Sequence, residues 1–207
     1  HMTARLIQEE SMHDANEAEY PSDRVEHPSH RMELIARAEE DPEAFGELYR
    51  LYVDRIYNYH YRHTSNREVA EDLTSRTFYR ALRSLHRYRD KKGATFQSWL
   101  FRIAHNLVVN WYRNTSRHPK VSTDRIGALP ADHGNPHQIV EEADMQRRML
   151  AMIEDLPEDR KTLILLKFVE KMTNAEIGEV LNRTEGAVKA LYYRTLQSLR
   201  VAAAEGE

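Results

Sequence analysis

The sequence predicts an all-α fold, with two small helical domains joined by a flexible linker and a helix-turn-helix in the second. Three observations carry this. Apolar residues recur at steps of three and four through two long blocks. Helix-start residues precede most of the periodic runs. Between His118 and His137 the period vanishes among Pro119, Gly127, Pro130, Gly134 and Pro136. The expected organisation is a disordered acidic tail over 1–28, a helical domain over 29–117, a linker over 118–137 and a second helical domain over 138–203. No internal repeat connects the two blocks.

The tail opens with His1-Met2, which looks like an expression-tag scar, and continues polar and acidic with no face to bury. His13, His27 and His30 lie outside helical register and are read as solvated rather than metal-binding. Beyond Asp41-Pro42, the residues Phe45, Leu48, Tyr49, Tyr52, Ile56 and Tyr59 form the apolar stripe of a long helix. Ser65 and Glu68 fit a capping box for a second helix with the stripe Ala70, Leu73, Thr77, Phe78, Ala81, Leu82 and Leu85. After the Arg87 to Ala94 loop, a third helix from about Phe96 to Arg117 buries Phe96, Trp99, Leu100, Ile103 and Leu107. The second block starts near Gln138 and breaks at Leu156-Pro157, where proline suits a first helical turn. It continues through the apolar run Leu163 to Leu166. Thr173 and Glu176 fit another capping box, Asn182-Arg183 a tight turn, and Thr184 the cap of a last helix reaching about Arg200.

Composition narrows the function classes. The chain has 207 residues, no cysteine and a formal net charge of -3. Disulfides, thiolate zinc sites and cysteine redox sensing are therefore excluded for the chain alone. No apolar run approaches the roughly 20 residues that span a bilayer, and no signal-peptide layout opens the sequence, so a cytoplasmic location and no membrane insertion are expected. With seven glycines and no His-Glu-x-x-His, nucleophile elbow or phosphate-cradling loop, neither metal, cofactor nor catalytic residues are expected. A helical hydrolase using histidines and carboxylates, for instance His60 and His63 with Glu68 and Asp72 nearby, is a weak alternative.

The charge is unevenly spread, which matters more than its sum. No Asp or Glu occurs from Lys91 through Thr123, where Lys91, Lys92, Arg102, Arg113, Arg117 and Lys120 alternate with Phe96, Trp99, Phe101, Trp111 and Tyr112. On the third helix Ser98, Arg102, His105, Asn106, Val109 and Arg113 are expected to face outward, a surface suited to a phosphate backbone beside an unstacked base. Trp99 is read as core. On the last helix Val188, Leu191, Tyr192, Thr195 and Leu199 form the inner face. Gly186, Lys189, Ala190, Tyr193, Arg194 and Gln197 lie opposite, a small, basic and aromatic surface that fits a major groove, with Lys189 and Arg194 as base or phosphate readers. By periodicity alone a plain helical hairpin fits equally well.

A resemblance adds to this. The segment LPEDRKTLILLKFVEKMTNAEIGEVLNRTEGAVKALYYRTLQSLR from Leu156 resembles the fourth conserved region of sigma factors. AEDLTSRTFYRAL from Ala70 and TFQSWLFRIAHNLVVNWYR from Thr95 resemble the second conserved region of extracytoplasmic-function (ECF) sigma factors. The resemblance implies a promoter-recognition subunit of bacterial RNA polymerase that performs no chemistry itself. Its partners would be core polymerase, through the beta-prime clamp helices and beta flap, promoter DNA in duplex and single-stranded form, and an anti-sigma factor. It places Asp72, Ser75, Arg76 and Phe78 at polymerase-binding positions, and Asp90, Lys91, Lys92, Arg102, Asn106, Asn110 and Arg113 at a minus-ten site. Thr184, Gly186, Lys189, Ala190, Tyr193 and Arg194 fall at a minus-thirty-five site.

Two departures stand out: Ser75-Arg76 where the family often has Gln-Glu, and Ala190-Leu191 where Ser-Arg is frequent. No extra central domain fits between His118 and His137, which points to the minimal ECF type. The alternative is a stand-alone helix-turn-helix regulator, against which the all-helical first block speaks, since a receiver domain would alternate strands and helices. The acidic tail is further expected to fold back over Arg102 and Arg113.

Overall fold

A computed structural model of the chain describes residues 28–89, 94–115, 153 and 156–205. The elements are α1 (Pro28–Arg37), α2 (Pro42–Thr64), α3 (Arg67–Ser84) with a 3-10 turn at Leu85–Arg87, α4 (Phe96–Thr115), α5 (Glu158–Ile164) running into a π turn (Leu165–Val169), α6 (Asn174–Leu181) and α7 (Glu185–Glu205). No strand occurs among the described residues. The tail, the linker and the helix start near Gln138 lie outside the described residues. Two compact units result; α1 to α4 group with residues 175–184, and α5 with its π turn groups with α7.

In the first unit, Asp41 caps α2 by accepting from the Glu43 amide at 2.9 Å, with Pro42 at the first position. The Arg37 guanidinium, 2.8 Å from Asp41, holds that carboxyl below its ordinary range. The connection between α2 and α3 is two residues long. Ser65 terminates α2 in the left-handed region (φ 49°), and the Asn66 side chain accepts from the Val69 amide at 3.0 Å to start α3. The Ser65–Glu68 capping box is thereby corrected, because Ser65 is committed to closing the preceding helix and the cap moves one residue on. Asn66→Ala is expected to cost about 1 kcal/mol in a urea titration, whereas Ser65→Gly, which relieves a positive φ, should not destabilise.

The core of this unit is Leu48, Tyr52, Ile56 and Tyr59 from α2, Ala70, Leu73, Thr77, Phe78 and Ala81 from α3, and Phe96, Leu100, Phe101, Ala104, Leu107 and Val108 from α4, all buried. Five expectations are corrected. Tyr49 and Leu82 are exposed, because they sit at the edges of their stripes. Trp99 and Ile103 are only half-buried, the inner face of α4 being rotated toward Phe101 and Ala104. Trp99 still packs on Tyr88 and Phe96, with ring centres 5.5 Å apart in each pair. Ser98, expected to face out, is buried, and its hydroxyl donates to the Thr95 carbonyl at 2.9 Å.

In the second unit Pro157 takes the N-cap position of α5 rather than the first helical turn. The run Leu163 to Leu166 is buried, and Ile153, Ile164 and Leu199 pack together with Leu156, Phe168 and Tyr192 around them. The expected short turn after α6 is present and belongs to the first unit: Asn182 adopts φ 53°, and the Arg183 amide donates to the Gly178 carbonyl at 2.9 Å.

Candidate functional site

The outward face of α3 carries Asp72, Ser75 and Arg76, three of the four positions that the resemblance associates with polymerase. Asp72 and Arg76, one turn apart, pair at 3.2 Å. Phe78, the fourth, is 6% exposed and meets Tyr49 edge to face at 4.7 Å, beneath that row. Two further exposed side chains on α3 are Tyr79, 60% exposed, and Leu82, 50% exposed. They continue the Asp72/Ser75/Arg76 row at steps of three and four, a signal available on the helical wheel. Arg83 lies over the Tyr79 ring at 5.8 Å and donates to its hydroxyl at 3.1 Å.

Along α4, Asn106, Val109 and Arg113 are exposed and Arg102, His105 and Asn110 half-buried. The absence of acids over this helix leaves its outer surface basic and hydrogen-bonding. Arg113 donates to the Asn110 side-chain oxygen at 2.8 Å, which orients both. Within the same unit α6 supplies two carboxylates. Glu176 accepts from the Thr95 hydroxyl at 2.7 Å, and Glu179 lies 3.5 Å from the Arg102 guanidinium. Asp90, Lys91 and Lys92 lie outside the described residues, as does the tail expected to cover Arg102 and Arg113.

Behind this surface lies a buried polar group that the sequence reading took for a weak catalytic pairing. His60 is fully buried, its Nε2 3.0 Å from the Thr77 hydroxyl and its Nδ1 without a hydrogen-bond partner. Burial, and secondarily the neighbouring His63, pushes His60 down to about 3. Tyr59 and His105 bond at 3.1 Å, and the Tyr112 hydroxyl donates to the His63 carbonyl. With no carboxylate bonded to either ring nitrogen of His60 and no solvent access, the cluster is a structural joint of α2, α3 and α4.

On α7, Val188, Leu191, Thr195, Leu196 and Leu199 are buried. Gly186, Lys189, Ala190, Tyr193, Arg194 and Gln197 are all exposed, as is Thr184 just before the helix. Lys189 is held by Glu185 at 3.1 Å, and the Arg194 Nε donates to the Ala190 carbonyl at 3.3 Å. A Cβ added at Gly186 would meet nothing within 4 Å, so this stretch of the helix surface is open to close approach. No helix among the described residues is long and apolar enough to cross a membrane.

Comparison with known proteins matches residues 48–118 to Sigma-70 region 2 and residues 146–199 to Sigma-70, region 4. The chain is 33% identical to the ECF RNA polymerase sigma factor BldN of Streptomyces coelicolor, over 81% of this chain and 64% of that protein. It is 32% identical to the ECF RNA polymerase sigma factor SigE of Mycolicibacterium smegmatis, over 76% and 60%. To the ECF RNA polymerase sigma factor ShbA of Streptomyces griseus it is 31% identical, over 66% and 73%. It thus spans less than two thirds of the length of the first two relatives. Among solved structures, CnrH in complex with the cytosolic domain of CnrY shares the fold at a TM-score of 0.60 and 20% identity, covering 86% of this chain and 98% of that one.

Proposed function

Because this chain belongs to the ECF sigma factors of the sigma-70 family, we propose that it binds core RNA polymerase, recognises and opens promoter DNA, and directs transcription initiation, while the polymerase performs all the chemistry. The observation that carries this is the exposed face of α7, where Gly186, Lys189, Ala190, Tyr193 and Arg194 stand together on a helix whose other side buries Val188, Leu191, Thr195, Leu196 and Leu199. A helix of that kind suits a major groove, with bidentate contacts worth roughly 1–3 kcal/mol each. One such helix gives modest specificity. A second contact, to the minus-ten element, is assigned to Arg102, Asn106, Asn110 and Arg113 of α4 together with Asp90, Lys91 and Lys92 of the preceding segment. Two weak contacts on one chain become effective together once the polymerase fixes their spacing.

Asp72, Ser75 and Arg76, extended by Tyr79 and Leu82, form the proposed seat for the beta-prime clamp helices, and the beta flap is the proposed partner of the carboxyl-terminal domain. An anti-sigma factor covering these surfaces is the proposed control, and the cytoplasm the proposed location. A stand-alone regulator would leave the region 2 match without a role.

Purified chain added to core polymerase is expected to produce run-off transcripts from defined start sites; core that gains no promoter specificity would overturn the reading. Lys189→Ala and Arg194→Ala are each expected to lower transcription roughly tenfold from promoters that depend on a minus-thirty-five element, with core binding unchanged. Gel filtration with core polymerase separates the two effects.

A further inference from the structure

The outward centre of α7 is a line of Gly186, Ala190, Tyr193 and Gln197, and Tyr193, 59% exposed, is the first large side chain along it. The Gln197 amide nitrogen donates to the Tyr193 hydroxyl at 2.9 Å. A phenol oxygen that accepts this bond still has its own proton to donate, and among the described residues that proton has no acceptor. The hydroxyl, on an exposed side chain, therefore keeps its own proton to donate, and accepting one bond strengthens the bond it can give. By contrast, Lys189 and Arg194, the cations on either flank, are each engaged within the helix by Glu185 and by the Ala190 carbonyl.

Position along the helix decides what such a donor meets. Recognition helices place their first turn over the base edges. At about 1.5 Å per residue, Tyr193 lies roughly 12 Å along the axis from Glu185, comparable with the roughly 12 Å width of the major groove. With the first turn over the bases, Tyr193 reaches the groove wall, where the acceptors are phosphate oxygens. We propose that Gln197 is a positioning residue for promoter binding, holding the Tyr193 hydroxyl as a hydrogen-bond donor to a backbone phosphate at the edge of the minus-thirty-five element. It rests on the promoter-binding reading of α7. The contact is neutral on the protein side, so it positions the helix without releasing counterions and carries no base preference.

The test uses the full chain assembled with core polymerase and a duplex promoter fragment that this holoenzyme transcribes. Affinity is measured across a potassium chloride series for wild type, Tyr193→Phe, Gln197→Met and the double variant. Tyr193→Phe should weaken binding about tenfold and Gln197→Met about threefold, with the double variant no weaker than Tyr193→Phe. The salt slope should stay at the wild-type value, while Lys189→Ala lowers it by about 0.9. The same factors should appear on fragments altered in their minus-thirty-five bases. Wild-type affinity for Tyr193→Phe, additive losses, or losses that follow the base sequence would each overturn the proposal. If wild type directs no promoter-specific initiation, the functional reading falls and the proposal with it; if wild type is active and the variants match it, the proposal alone falls. Both side chains face solvent, so thermal denaturation should be unchanged in all variants.

Discussion

Between pH 6.5 and pH 4 the amino-terminal unit is expected to lose stability steeply, and His60→Leu is expected to flatten that loss. His60 is fully buried and held neutral, with its folded value pushed down to about 3 by burial and by His63. The unfolded chain, with an ordinary histidine, takes up a proton below about 6.5. A depressed histidine therefore contributes its full stability above that value and loses it as pH falls toward 3, by about 1.4 kcal/mol per pH unit within the window. Asp41 acts lower on the scale, where its carboxyl, held down by Arg37, begins to protonate.

The leucine variant is a fair comparison. Thr77 keeps its bond to the Leu73 carbonyl at 2.8 Å when the imidazole is gone, and the removed Nδ1 had no partner. Urea titrations of both chains at pH 7.5, 5.5 and 4.5 read the difference. Equal pH dependence in the two would show that His60 is not the group responsible.

Tyr79→Ala is expected to weaken binding to core polymerase by roughly thirtyfold without unfolding the chain, and Phe78→Ala to do the reverse. Tyr79 stands clear of the helix with Arg83 against its ring, a pairing of two residue types enriched at the energetic centres of interfaces. Its neighbours on that face are Arg76 paired with Asp72, and Leu82. Phe78, one residue earlier, is turned inward under Tyr49, and removing a buried aromatic ring costs about 3–5 kcal/mol. Competition of labelled and unlabelled chains for core polymerase measures the first effect, and urea titration the second. A Tyr79→Ala chain that competes as well as wild type would move the seat off this part of α3.

The helices were legible in the sequence because each buries one stripe, and spacing reveals a stripe without knowing what covers it. Stripe edges were not legible. Tyr49, Phe78 and Leu82 carry similar apolar weight, yet only Phe78 is inside, since the depth of each edge is set by how α2 and α3 rest on each other. Ser65 and Asn66 are both good caps, and tertiary geometry chose between them. The His60 joint was invisible for a stronger reason: Thr77 and His105, which complete it, are 17 residues from His60 and 46 residues from Tyr59 respectively. The outward faces of α7 and, apart from Ser98, of α4 were readable because charge and small residues do not depend on a partner helix. Asp90, Lys91 and Lys92 belong to a segment outside the described residues.

The two-residue joint at Ser65 and Asn66 also bears on how fast the chain finds its native state. With so short a connection, α2 and α3 are tethered end to end, so pairing them closes almost no loop and forfeits little chain entropy. Contacts close in sequence form early, on the microsecond to millisecond scale typical of helical proteins. The α2–α3 hairpin is therefore the expected nucleus, with Tyr49 meeting Phe78 across it and α4 condensing afterwards. Weakening the joint should slow refolding, whereas trimming the distal end of α4 should mainly hasten unfolding.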